Sequence, residues 1–261
     1  MEGLEKEEYF FLQYFDEINN LEAFTRVAYA GFRFVSETIS LVDSTSIKNI
    51  EYGAEGIIQG VKPFLENEIK NNYTYLYNLS SIRIWGIIET AVDDFVQHII
   101  ETDINVRNLE TLKRIQGPLV DFINMSHSDQ SLFLLDSLKQ SIKANLKLGV
   151  GRFESILSSI NHDGVVHELV RTTLFELSQI RNVLVHKNGK ADLRIIKNCP
   201  WLELSQGMAL QITEKKFNKY KLAVMWYILE LTNRRSIFTF DEKDEELIKL
   251  QENIISKLEK D

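Results

Sequence analysis

The chain has 261 residues, 44% of them apolar and 26% charged, with a formal net charge of −8. That length can bury a real core in one large or two small domains. The acidic balance argues against coating nucleic acid by charge alone, but leaves room for a local basic pocket. Three prolines, twelve glycines and one cysteine argue against a turn-dense strand fold and exclude an internal disulfide framework, and they favour long helices in a reducing compartment.

The acidic start, Met1 to Glu8, lacks a basic stretch followed by an apolar one. No run of about eighteen apolar residues follows anywhere, so a soluble, cytoplasmic chain with no membrane contact is expected. Residues 5–41 read as two helices separated at Asn19-Asn20. Tyr9, Phe10, Leu12, Phe15 and Ile18 recur at helical spacing before the break, and Leu21, Phe24, Val27, Ala28, Phe32 and Val35 recur after it. Residues 42–52 read as a loop with a short helix, and 53–70 as a helix broken or kinked at Pro63. Together these divide the chain into an N-terminal helical extension, 1–50, and a helical domain, 51–261.

Residues 74–101 give a strong element, with Leu76, Leu79, Ile82, Trp85, Ile88, Val92, Phe95 and Ile99 on one three-four spacing. The tyrosines at 73, 75 and 77 alternate as in a strand, but the longer period makes them packing residues at a helix entry. Shorter helices fill 105–160, punctuated by Gly117-Pro118 and by 126–129. After the turn at 161–164, residues 165–187 form the second strong helix, with Leu169, Thr173, Leu177, Ile180 and Leu184 on one stripe. Lys187-Asn188-Gly189 ends it with a cationic last turn and residues suited to a left-handed cap. The alternation over Met208–Thr213 is the one strand signal, and it pairs with 192–196 as a small β-hairpin. Residues 214–233 and 241–260 read as two closing helices. The fold class is all-α, a multi-helix bundle with that hairpin after the second strong helix.

The chemistry-bearing segment is Glu176 to Asp192. Arg181 offers a permanent planar charge with five donors, suited to a phosphate. His186 supplies an imidazole, the one side chain type whose ordinary pKa lies near neutrality. Asn182 stands four residues before His186, so the two share a face and the amide can orient the ring. Arg181 lies about 140° round the axis from His186. Convergence on one ligand then requires an unwound last turn or a second copy of the helix. The plainer alternative is a His and a Lys complementing the helix dipole at its C-terminus.

Arg181-Asn182-Val183-Leu184-Val185-His186 resembles the signature of HEPN domains, an Arg, a polar residue and then a His. The preceding apolar helix, Gly189 and Asp192 after the motif, the hairpin and a closing helix also resemble that family, in the branch related to RiboL-PSP and ApeA-like defence domains. The likeness spans about residues 70–235. It implies a helical bundle that forms a homodimer with motif helices face to face, and a metal-independent endoribonuclease acting as a toxin or antiphage-defence effector. In that reading the RNA 2′-hydroxyl attacks the adjacent phosphate, His186 is the general acid or base, Arg181 stabilises phosphorane charge, and Asn182 orients His186 or binds the phosphate. The family adds a polar residue from an earlier helix, for which Glu89 and then Asp93 are the candidates. No cofactor and no metal are expected. The partners are an RNA substrate, a second copy, and an antitoxin or effector protein.

The alternative is a non-catalytic HEPN module that binds RNA, a nucleotide or a partner protein. Other residues read as structural. Asp94, His98 and Glu101 form an exposed helix surface rather than a metal site. His162, Asp163 and His167 serve a loop or cap. Gly149-Val150-Gly151-Arg152 lacks the lysine and spacing of a phosphate loop. Cys199 reads as a buried thiol.

Overall fold

The computed structural model describes residues 2–45, 54–144, 147–240 and 244–260. Within them lie twelve α-helices, a 3-10 turn at Pro200–Leu202, and no strand. The all-α expectation therefore holds. Among the described residues, no helix is long and apolar enough to cross a membrane.

Helix α1, Glu2–Thr45, runs unbroken through Asn19-Asn20, where two helices are expected from the sequence. The reason is energetic. An asparagine in a helix interior costs only a few tenths of a kcal/mol, and both side chains face solvent. On either side, Ile18 and Leu21 are buried in the main core together with Phe11 and Tyr14. Much of the loop expected at 42–52, and the proposed boundary at residue 50, lie outside the described residues. Helix α2, Ala54–Lys70, continues through Pro63.

Helix α3, Thr74–Thr102, is the central post. Ile84, Ile88, Ala91, Val92, Val96 and Ile99 are all buried, because α1, α7, α9 and α11 pack around it. Each of the buried isoleucines and valines contributes about 1.5–3 kcal/mol. The three tyrosines at its start pack against aromatic neighbours: Tyr73 on Tyr29, Tyr75 on Phe64 and Tyr77 on Phe217. The buried Glu68 carboxylate accepts from the Tyr75 and Leu76 amides, both at 3.3 Å, which caps the helix.

Four short helices follow: α4 (Ile104–Arg107), α5 (Glu110–Lys113), α6 (Leu119–Asn124) and α7 (His127–Ser141), the last capped by Ser126. Helix α8, Val150–Ser158, is seated by its aromatic and acidic residues. Phe153 stacks on Trp85 of α3 with centroids 5.3 Å apart. Glu154 pairs with Arg234 at 3.0 Å and accepts from the Tyr227 hydroxyl.

Helix α9, Glu168–His186, buries Val170, Leu174, Leu177, Ile180 and Val183. It ends where Asn188 (φ 50) and Gly189 (φ 70) turn left-handed and the Gly189 amide returns to the Val183 carbonyl at 3.1 Å. The next segment departs from the hairpin expected at 192–196. Asp192 caps the Arg194 and Ile195 amides, both at 3.1 Å, and so starts helix α10, Leu193–Asn198. Pairing is displaced to the residues before the cap. It consists of one antiparallel bridge, Lys190 to Ala209, with the Leu210 amide donating to Gly189 O and the Ala191 amide to Met208 O, both at 2.8 Å. Helices α11 (Glu214–Phe240) and α12 (Glu245–Lys260) close the body, joined by Asn233 and Gln251 at 2.8 Å.

Candidate functional site

A cleft of about 290 Å³ opens beside the C-terminal half of α9. Its walls are α9, the middle of α3, the turn from Lys147 to the first turn of α8, and the start of α10. Arg181, Asn182, His186 and Glu89 all line it. Ser178, Asn182 and His186 follow one another at four-residue spacing down the wall. Arg181 stands on the flank of that stripe, and its long stem brings the guanidinium to Glu89, with Nη2 3.8 Å from a carboxylate oxygen. A straight helix thus serves one cleft with two residues about 140° apart, because one of them is long and the cleft is wide.

The electrostatics are local. Lys147, Arg152, Arg181, Lys187 and Arg194 face only Glu89 and Asp192 among the charged lining residues. The cleft is therefore cation-rich in a chain of net charge −8. Glu89 is shared: one oxygen accepts from Arg152 Nη1 at 2.7 Å, the other faces Arg181. The Asn182 amide oxygen faces Arg181 Nη1 at 3.5 Å, the outer limit of a hydrogen bond. It makes no bond to His186, so the orientation expected of it is absent in the isolated chain. His186 is exposed, the last residue of α9, and its ring has no hydrogen bond to any described residue.

The α10 wall is pinned from below. Gln179 accepts from Asn198 at 2.9 Å, and Glu176 accepts from the Trp201 indole and from the Tyr220 hydroxyl. Burial, with the Glu176 carboxylate beside it, holds the Tyr220 hydroxyl well above its ordinary range. Burial also pushes the nearby Cys199 thiol up to about 12, which suits a structural role rather than a nucleophile.

Asp93 does not line the cleft. It pairs with Lys139 at 2.7 Å, and burial raises its carboxyl above the usual range despite that lysine. Asp94 accepts from the Tyr14 hydroxyl, and Glu101 faces His127 at 3.5 Å. Among the described residues, no group of three His, Cys, Asp or Glu side chains is arranged to hold a metal. His167 caps α9 through Nδ1, which accepts from the Leu169 amide at 3.3 Å. His162 is buried between Phe95 and Phe238, with Nδ1 2.8 Å from the Ile160 carbonyl.

Sequence reasoning missed Arg152, Lys147 and Arg194 as lining residues. The one available signal was the glycine of Gly149-Val150-Gly151-Arg152. Gly149 has φ +56, and a Cβ there would lie 2.8 Å from the Phe175 Cα of α9. Only glycine permits both the turn and this approach, and the turn carries Arg152 into the cleft. Compared with protein-family models, with curated proteins and with solved structures, the chain has no match.

Proposed function

We propose that this chain is a metal-independent endoribonuclease of the HEPN type, cutting RNA at the cleft beside the end of α9. The observation that carries this reading is the convergence of Arg181, Asn182 and His186 on one cation-rich cleft of an acidic protein. An unrelated coincidence of three residue types gives no reason for a shared concave surface.

In the reaction, the RNA 2′-oxygen bonds to phosphorus and loses its proton to a base. The bond from phosphorus to the 5′-oxygen breaks, and that oxygen takes a proton. The products are a 2′,3′-cyclic phosphate and a 5′-hydroxyl. His186 performs one of the two proton transfers. Arg181 stabilises charge developing on the phosphoryl oxygens. The resemblance further implies a homodimer. Exposed Val185, Leu193 and Met208 around the end of α9 and its bridge offer an apolar surface for a second copy, which would also hold the otherwise unsupported His186 ring. In biological terms the reading is a toxin or antiphage effector, restrained by a partner protein.

The test is to incubate purified protein with total cellular RNA in EDTA and to identify the chemistry of the new ends. Cyclic phosphate and 5′-hydroxyl ends are expected. Ends of the opposite polarity, or cutting only when a divalent cation is restored, would reject the mechanism. A folded protein that binds RNA without cutting it favours the non-catalytic module.

A further inference from the structure

We propose that Arg152 is a second phosphate-binding residue of this cleft, and that Glu89 is the positioning residue that holds Arg152 and Arg181 side by side. This rests on the reading of the cleft as a site for RNA phosphate, and it gives Glu89, the candidate polar residue from an earlier helix, the part of a clamp.

Four observations point the same way. First, one carboxylate serves two guanidiniums, with 2.7 Å to Arg152 and 3.8 Å to Arg181. Both oxygens of that carboxylate are engaged by arginines, and the trio still keeps one net positive charge. Second, Arg152 Nε is buried with no hydrogen-bond partner, so the protein leaves this guanidinium one donor short. Third, Arg152 is in the first turn of α8, where a cation adds to the positive end of the helix dipole. That placement costs stability, and an anion in the cleft offsets the cost. Fourth, the backbone under Arg152 is held rigidly. Gly149 packs directly on α9, Phe153 stacks on Trp85, and Glu154 is held by Arg234 and Tyr227. Preorganised charge of this kind stabilises a phosphoryl group at little reorganisation cost.

Two planar forks flanking one carboxylate suit a phosphodiester, whose two non-bridging oxygens each accept a paired contact. Lysine at position 152 would keep the charge and lose the fork.

The experiment uses a labelled 2′-O-methyl RNA 12-mer, which cannot undergo the cleavage, titrated by fluorescence anisotropy against wild type, Arg152→Ala, Arg152→Lys and Glu89→Gln over a range of salt. Arg152→Ala is expected to weaken binding by ten-fold or more and to lower the salt slope by about one. Arg152→Lys should retain the slope and recover part of the affinity, which also guards against a folding defect in the alanine variant. Glu89→Gln should leave the bell or plateau of the cleavage pH profile in place while lowering its height. Binding by both position-152 variants equal to wild type overturns the inference and leaves the ribonuclease reading standing. Loss of one limb of the pH profile in Glu89→Gln overturns the clamping role and makes Glu89 a proton-transfer residue instead. Wild type that neither binds the 12-mer nor cuts RNA removes both readings together.

Discussion

Arg181, Asn182 and His186 are legible in the sequence because each is a residue type with narrow chemistry, set at a recognisable spacing. Their meeting place is not legible, since about 140° of helix separates Arg181 from His186 and only the tertiary surroundings reveal a cleft wide enough for both. Arg152 is less legible still. Its entry depends on Gly149 lying against Phe175, a contact between residues 26 apart in the chain, which no local pattern encodes. At this scale the account predicts that Arg181→Lys, which keeps the charge and loses the fork, lowers RNA cleavage on the order of 10²-fold. Single-turnover rates on a defined RNA check this, and an unchanged rate would show that Arg181 acts only as a point charge. Gly149→Ala combines a left-handed backbone with a 2.8 Å contact to the α9 backbone. It should destabilise the fold by roughly 1–3 kcal/mol and weaken cleavage by displacing Arg152, readable by urea denaturation alongside the assay.

Elements with a long apolar period were readable to within a few residues: 74–101 against Thr74–Thr102, and 165–187 against Glu168–His186. The failures have local physical causes. A polar pair at 19–20 reads as a break, yet burial on both sides carries α1 through it. An alternating run at 208–213 implies a strand partner at 192–196, but the Asp192 cap turns that partner into a helix. A pH prediction belongs to the connection between α8 and α9. Desolvation lowers the His162 pKa below the ordinary imidazole value of 6.5, with Arg235 and Arg234 acting in the same direction. The unfolded chain then binds more protons than the folded one, so the His162 contribution is complete above pH 6.5 and is lost as pH falls below it. Glu22, whose carboxyl is held below its ordinary 4.5 chiefly by the Lys221 hydrogen bond, makes its contribution only above that lower range and loses it in stronger acid. The melting temperature should therefore fall between pH 6.5 and 5, and His162→Gln should flatten that decline. A decline of equal steepness in the variant would assign it to other groups.

Across the whole molecule, one hydrophobic cluster joins the first half of α1 to α3, α9, α11 and α12, so the N-terminal stretch shares the core that supports the cleft. Beyond residue 21 the same helix leaves Phe24, Val27 and Phe34 exposed. The homodimer is a claim at this scale. Replacing exposed Val185 and Leu193 with aspartate should convert a dimer to a monomer in sedimentation and reduce cleavage in parallel, with the unfolding temperature little changed. A monomer that cuts at the wild-type rate would remove the second copy from the mechanism.

The central claim, that this cleft cuts RNA, is tested most directly by comparing wild type, His186→Ala and Arg181→Ala on the same RNA in EDTA. The account predicts cutting by wild type and a loss of about 10²–10⁴-fold in each variant, with all three proteins folded. Cutting by both variants at the wild-type rate would contradict it and place the activity elsewhere.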